Sequence, residues 1–335
     1  MILTDKDIWV FIELNENKTP KHVGLELLNP GKKLAKELTG NLIAVIISDE
    51  TALAKEEASR YGADKILVIE GSEYEYYSTD AYATAFSYLI NKYQPAAVMI
   101  GATINGRDLA PRIACRVKTG LTADCTELGI DEKTGRIAWT RPALGGNLMA
   151  TILCEDHTPQ MGTVRSGVFK KLEPTDHQAE IIEEHFTFDM ASIRTQILET
   201  IQSNKEVVNL ESAEFIVAAG RGVGTQDGFD KVVNFAKNMG ATLGASRGAV
   251  EQGWVPHTHQ IGQTGKNVSP KVYFAFGISG AIQHIAGING SDKIVAINKD
   301  PNAPIFNISD ISVVGDLFEI LPILELNLTH KSENP

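Results

Sequence analysis

Short runs of Val, Ile and Ala, each followed by a helical pattern, recur in two series, and this alternation constrains the fold more than any other feature. The first series is IWVFIEL (8–14), NLIAVIIS (41–48), KILVIE (65–70) and AAVMIGA (96–102), with helical stretches such as TALAKEEASRYG (51–62) between them. A strand covered on both faces by crossover helices needs no polar face, so unbroken apolar runs of this length predict a parallel sheet flanked by helices. Further on, RIAWTRPALGGNLMATILCE (136–155) and QMGTVRSGVF (160–169) predict an antiparallel extension. A polar stretch then crosses residues 200–210, and the alternation restarts with EFIVAAG (214–220), ATLGAS (241–246), KVYFAFG (271–277), KIVAIN (293–298) and ISVVG (311–315). QDGFDKVVNFAKNMG (226–240) reads as an amphipathic helix stopped by Gly240, and DLFEILPILELNL (316–328) as a closing helix carrying Pro322. The length of 335 residues exceeds what one core usually supports, so the expectation is two α/β domains, 1–205 and 206–335, the second a doubly wound parallel sheet.

Several function classes drop out early. A net charge of -11 argues against a nucleic-acid binder, whose site is normally a basic patch. The N-terminus MILTDKDIWVFIELNE carries charges where a signal peptide would be apolar, and no run approaches the roughly 18 apolar residues of a membrane span, so a cytoplasmic protein is expected. Cys115, Cys125 and Cys154 stand apart without a C-x-x-C spacing, which predicts reduced, buried thiols and no zinc or iron–sulfur site. His257 and His259 would share a face on a strand, a weak metal pattern beside an ordinary loop.

In an open parallel sheet, ligands bind beyond the carboxyl ends of the strands. In the second series those ends carry Gly220-Arg221-Gly222-Val223-Gly224, Ser246-Arg247, Gly277-Ile278-Ser279-Gly280, Asn298-Lys299-Asp300 and Gly315-Asp316. Glycine lets backbone N–H groups approach phosphate oxygens, and GISGAIQH is the best case, with a helix expected to start at Ser279. The same stretch also reads as an ordinary capped turn. Known fingerprints fail in detail. G-x-G-x-x-G counted from Gly220 or Gly222 ends on Thr225 or Asp227, and the second strand ends in Ser246-Arg247 where an NAD site needs an acid. GQTGK has Gln260 and Asn267 where a Walker A loop needs Gly and Ser/Thr. What remains is a phosphate-bearing ligand whose head group meets polar residues such as Gln263, Thr264, Arg247 and His284. With no evident Ser-His-Asp order, carboxylate pair or metal cluster, this is more a carrier's site than a hydrolase's.

GRGVGTQDGF, GATLGASRGAV, HQIGQTGKNVSPKVYFAFGISGAIQHIAG, IVAINKDPNAPIF and VVGDLFEILP together resemble the α subunit of the electron transfer flavoproteins, nearly unbroken over 214–326. GATINGRDLAPRIACRVKTGLTADCTEL (101–128), RPALGGN and MGTVRSGVF extend the resemblance into the first half. It implies one FAD, held by the C-terminal domain, and a heterodimer with a β subunit. It implies an N-terminal domain that resembles nucleotide hydrolases, carries no cofactor and packs on the β subunit. The implied FAD contacts are Arg221, Ser246, Arg247, Ile261, Gly262, Gln263, Thr264, Ser279, Gly280, Ala281, Ile282, Gln283, His284, Asn298, Asp316 and Leu317. Thr264 would lie near flavin N5, His284 near the pyrimidine edge and Arg247 beside the ring. The Ser279 turn would meet phosphate and ribityl groups, with Asn298 and Asp316 at the adenosine end.

The segment GWVPHTHQ (253–260), with Trp254, His257 and His259, is more similar to anaerobic members that take electrons from NADH and split them between two acceptors. The partners this implies are the β subunit, an acyl-CoA dehydrogenase-type flavoenzyme, and ferredoxin or flavodoxin as acceptors. A conventional carrier from acyl-CoA dehydrogenases to a membrane quinone reductase is the alternative, and a nucleotide-binding regulatory module a further one. In GRDLAPRIA, Arg107, Asp108 and Arg112 read first as an ion-pair set on one helix face, and otherwise as a surface for the β subunit.

Overall fold

A computed structural model describes residues 3–143, 148–187, 193, 197–199, 210–211 and 213–329. The chain divides into two compact units, Met1–Ile201 and Gln202–Pro335. The boundary expected between 205 and 206 lies outside the described residues.

The first unit contains β1 (Ile8–Phe11), α1 (His22–Glu37), β2 (Leu42–Ser48), α2 (Ala52–Arg60), β3 (Lys65–Glu70), α3 (Thr79–Tyr93), β4 (Ala97–Gly101) and α4 (Ile104–Val117). It continues with β5 (Leu121–Cys125), β6 (Glu127–Ile130), β7 (Ile137–Pro142), β8 (Met149–Ile152), β9 (Gln160–Val164) and β10 (Glu180–Glu184). Seven strands form one sheet, in the order β10-β3-β2-β1-β4-β9-β5, and every pairing is parallel. The apolar runs 41–48 and 65–70 become its inner strands β2 and β3, and each sheet face has its own packed cluster.

β6, β7 and β8 form a small antiparallel sheet, as the run 136–155 predicts. The second part of that expectation is corrected: β9 lies parallel between β4 and β5 and is buried throughout. Its polar residues concealed this. Gln160 Oε1 accepts from the Ile137 N–H at 2.9 Å and Thr163 Oγ1 from the Asp124 N–H at 2.9 Å, so both can be buried without loss.

Two further expectations are corrected in this unit. Arg107, Asp108 and Arg112 do not pair with one another. Arg107 reaches Asp124 at 3.4 Å, Arg112 reaches Asp80 at 2.9 Å, and Asp108 accepts from Tyr77 at 2.8 Å and from Thr79, so each side chain serves a neighbouring element. Of the three thiols only Cys125 is buried; Cys154 is half-buried and Cys115 exposed.

The second unit contains β11 (Phe215–Ala219), α5 (Gln226–Asn238), β12 (Thr242–Ala245), α6 (Arg247–Glu251), β13 (Val272–Phe276), α7 (Ile282–Ile285), β14 (Ile294–Asn298), β15 (Ile311–Val314) and α8 (Leu317–Thr329). All five strands expected from the sequence are present. They form a wholly parallel sheet in the order β12-β11-β13-β14-β15. Alternate residues of each strand face opposite sides. Val217, Ala219, Phe274 and Phe276 pack on Phe229, Val232 and Phe235 of α5 and on Leu317 and Leu321 of α8. Ile216, Ala218, Tyr273 and Ala275 pack under Ile261, Val268, Ile288 and Ile305. α5 starts where the Thr225 hydroxyl accepts from the Gly228 N–H at 3.1 Å, and stops before Gly240, at φ +62°.

Candidate functional site

The strand order reverses at β11, whose neighbours are β12 on one side and β13 on the other. A parallel sheet opens a crevice at such a switch point, beyond its carboxyl edge, because successive loops leave in opposite directions. There the second unit has a cavity of about 740 Å³. Its wall is assembled from the strand ends: Arg221 and Gly222 after β11, Ser246 and Arg247 after β12, Gly277 to Ser279 after β13, and Asn298 at the end of β14 with Asp300 beyond it.

Close backbone contact holds these loops. The Gly222 N–H donates to the Gly277 carbonyl at 2.9 Å, and a Cβ on Gly222 would lie 2.6 Å from that oxygen. Residues 260–266 form a tight turn, with the Lys266 N–H donating to the Gln260 carbonyl at 2.8 Å and the Gly262 N–H to the Lys266 carbonyl at 3.1 Å. The turn docks on α7 through the Gln263 N–H and the Gln283 carbonyl, 2.7 Å apart. Gly262, at φ +136°, makes that approach possible, since a Cβ would stand 2.8 Å from the Gln283 oxygen. GQTGK is thus a docking turn beside the cavity, where a phosphate loop would join a strand directly to a helix.

Arg221, Ser246, Arg247, Ile261, Gly262, Gln263 and Thr264 all line the cavity, and so do Ser279, Ala281, Gln283, His284 and Asn298. Four other expected contacts do not. Gly280 packs on the backbone of Ile305, where a Cβ would stand 2.2 Å away, and Ile282 is 62% exposed. The Asp316 carboxylate pairs with Lys299 at 2.9 Å and accepts from the Phe318 N–H at 2.8 Å, while Leu317 belongs to the core against α5. The Lys299 ammonium first, then the Phe318 N–H, holds the Asp316 carboxyl below its usual range. Ser279 is not the start of a helix: α7 begins three residues later, Ala281 precedes it, and no side chain caps it. The Ser279 carbonyl instead accepts from the Ile305 N–H at 3.0 Å.

Other wall residues were not among the implied contacts. Gly222, Gly277, Ile278 and Asp300 follow strands and were visible to the edge rule. Gln260 was visible only as a failed Walker A position; it is buried and donates from Nε2 to Thr264 Oγ1 at 3.0 Å. Beneath the wall lies Tyr273, fully buried, its phenol oxygen 2.9 Å from Nε2 of His284. A tyrosine in an apolar strand is itself a signal, because a buried hydroxyl needs a partner. Burial raises its phenol well above the usual range and lowers the His284 imidazole to about 4, with the Ile261 backbone acting the other way on the histidine. His257 and His259 lie in a short 3-10 turn, where His259 Nδ1 is 3.0 Å from the Leu243 carbonyl. Among the described residues no group of three or more His, Cys, Asp or Glu is placed to hold a metal ion.

A parallel sheet of this strand order, with a donor-rich cavity at its switch point, defines an α/β domain built to hold a flavin or nucleotide. Comparison narrows the class. The electron transfer flavoprotein domain matches residues 8–188, and the electron transfer flavoprotein FAD-binding domain matches 209–289. The chain is 48% identical to electron transfer flavoprotein subunit alpha of Thermoanaerobacterium thermosaccharolyticum over 320 residues, 95% of this chain and 96% of that one. It is 45% identical to protein FixB of Clostridium saccharobutylicum, over 95% of both chains. It is 41% identical to acryloyl-CoA reductase electron transfer subunit beta of Anaerotignum propionicum, over 95% and 94% of the two chains. The chain belongs to the electron transfer flavoprotein α-subunit family, and its cofactor is FAD.

The cavity's chemistry fits that group. Arg221 brings a guanidinium suited to a pyrophosphate, and Arg247 a second one suited to negative charge on the ring. Ser246, Ser279 and Thr264 bring hydroxyls, and Gln260, Gln263, Gln283 and Asn298 bring amides for the hydroxyls and ring edges of a dinucleotide. The buried Nδ1 of His284 makes no hydrogen bond of normal geometry among the described residues, as expected of an atom kept for a ligand.

Proposed function

We propose that FAD lies in this cavity and that the chain is the α subunit of a heterodimer, relaying electrons one at a time between a donor and protein acceptors. The observation that carries the reading is the gathering of twelve expected contacts on one cavity wall at the switch point of the second sheet. The flavin supplies one-electron chemistry when bound. Within this reading the Ser279–Gln283 loop and Arg221 grip the phosphates, and Thr264, His284 and Arg247 surround the ring. Asn298 donates to the Ile278 carbonyl at 3.0 Å, which keeps two of the loops together. In this reading Asp316 and Leu317 meet the adenosine end beyond the cavity wall, and Gly280 and Ile282 shape the Ser279–Gln283 loop.

The donor in this reading is NADH, through the β subunit, or an acyl-CoA dehydrogenase-type flavoenzyme, and the acceptors include ferredoxin or flavodoxin. Electron splitting from NADH is the favoured mode, because GWVPHTHQ is similar to the members that do so. The name of the Anaerotignum propionicum relative adds support for an acyl-CoA partner. The domain division near residue 205 belongs to the same reading, with the first domain packing on the β subunit. Among the described residues no helix is long and apolar enough to cross a membrane.

The test is to purify the chain with its β subunit, count the flavins and add NADH. Two FAD per heterodimer and reduction by NADH support electron splitting. One FAD and no reduction by NADH indicate a conventional carrier from acyl-CoA dehydrogenases to a membrane quinone reductase. A colourless complex that takes up no FAD overturns the proposal.

A further inference from the structure

Tyr273 lies behind the cavity wall, on the inner face of β13, and does not reach the cavity. Its ring sits against that of His284, centroids 6.1 Å apart, and the phenol oxygen is 2.9 Å from His284 Nε2. His284 is on the wall, with its other nitrogen, Nδ1, buried and without a hydrogen bond of normal geometry among the described residues. The pair has two arrangements. If Nε2 carried the proton and donated to the phenol oxygen, the phenol proton would be left in an apolar core and Nδ1 would be a bare acceptor. If the phenol donates to Nε2, its proton has an acceptor and the imidazole proton is on Nδ1. The phenol is ordinarily a far weaker base than imidazole, so the second arrangement also matches their proton affinities.

We propose that Tyr273 is a positioning residue: its phenol donates to Nε2 of His284, fixes the Nδ1–H tautomer, and makes that N–H a hydrogen-bond donor to the flavin. The inference rests on FAD occupying the cavity. It gives the electron-carrying site a neutral, fixed donor at one ring edge, set by a residue that never touches the cofactor. Burial keeps the imidazole neutral, so what Tyr273 controls is which nitrogen bears the proton. A fixed donor aimed at the ring favours extra negative charge on it without a reorganisation cost during electron transfer.

The experiment uses the α–β complex with ¹⁵N-labelled histidine, in the parent and in Tyr273→Phe, which removes the hydroxyl and keeps the ring. Long-range ¹H–¹⁵N spectra distinguish a protonated from a bare imidazole nitrogen. The parent should show His284 as a single Nδ1–H tautomer, with that nitrogen shifting when FAD is added to the deflavinated complex. Tyr273→Phe should show a mixture of tautomers and a more negative first reduction potential. A parent in the Nε2–H form overturns the proposal without recourse to any variant. A variant with the parent's tautomer and potential overturns it as well, even if FAD moves the His284 signals. If FAD leaves those signals unmoved in the parent, the placement of FAD in this cavity fails, and the proposed destination of the Nδ1 proton fails with it.

Discussion

Arg247 donates from Nε to the Glu251 carboxylate at 2.7 Å, one turn along α6, and both side chains line the cavity. The pair is open to water, with the arginine side chain 70% exposed, so it is worth little to stability and leaves the guanidinium free to turn to a ligand.

Arg247→Ala should make the first reduction potential more negative by tens of millivolts. A unit charge about 4 Å from the ring at an effective dielectric constant of about 20 is worth roughly 4 kcal/mol, and solvent exposure shrinks that severalfold. One-electron potentials move about 59 mV per tenfold change in equilibrium constant. Lysine should rescue only in part, because it lacks the planar fork. A stepwise reductive titration against a reference dye gives the number, and unchanged potentials in the alanine variant remove Arg247 from this role.

His284 should give the FAD-free protein a pH-dependent stability. Burial lowers its pKa to about 4 from 6.5 in the unfolded chain. Between those values the unfolded state holds the proton and the folded state does not, so stability falls as pH drops below about 6.5 and levels off below about 4. The full effect is roughly 3 kcal/mol, of which about 2 kcal/mol should appear between pH 7.5 and 5. Urea unfolding of the parent and His284→Asn at those two pH values isolates the term, since the other titrating groups are common to both. An equal loss in both proteins would show that the histidine is not held neutral.

Much of this was legible in the sequence because parallel strands buried on both faces leave continuous apolar runs, and KVYFAFG and KIVAIN became β13 and β14 within a residue of the expected ends. The cavity residues were legible for the same reason: strand ends mark the carboxyl edge. Asp316 and Leu317 follow a strand as well, but β15 is the far edge strand, two strands beyond β13, and neither residue lines the cavity. β9 was misread because its buried polar groups are satisfied by side-chain–backbone bonds that no local pattern announces. The Tyr273–His284 bond joins a strand to the short helix α7 eleven residues on, which periodicity does not register.

Phe235 packs edge-on to Phe274 and Phe276, with ring centroids 6.1 and 5.4 Å away, and it is fully buried. Phe235→Ala should destabilise the second unit by about 3–5 kcal/mol through lost burial and a cavity under β13. Denaturant unfolding measures it, and a loss below about 1 kcal/mol would mean that α5 is not seated on the sheet as described.

Gly262→Ala should weaken FAD binding by roughly 5- to 150-fold, corresponding to about 1–3 kcal/mol of backbone strain relieved by displacing the turn. At φ +136° an alanine is strained, and its Cβ would stand 2.8 Å from the Gln283 oxygen, driving the 260–266 turn away from α7. Fluorescence titration of the deflavinated protein reads the affinity, and parent-like binding would take this turn out of the site.

The placement of FAD is tested most directly by a crystal structure of the FAD-loaded α–β complex. It should show flavin density at the carboxyl ends of β11, β12 and β13, with the ring beside Arg247, Thr264 and His284 and the pyrophosphate at the Ser279–Gln283 loop. A complex whose α chain binds FAD in the first unit, with the cavity at the β11–β13 switch point holding only solvent, would contradict it.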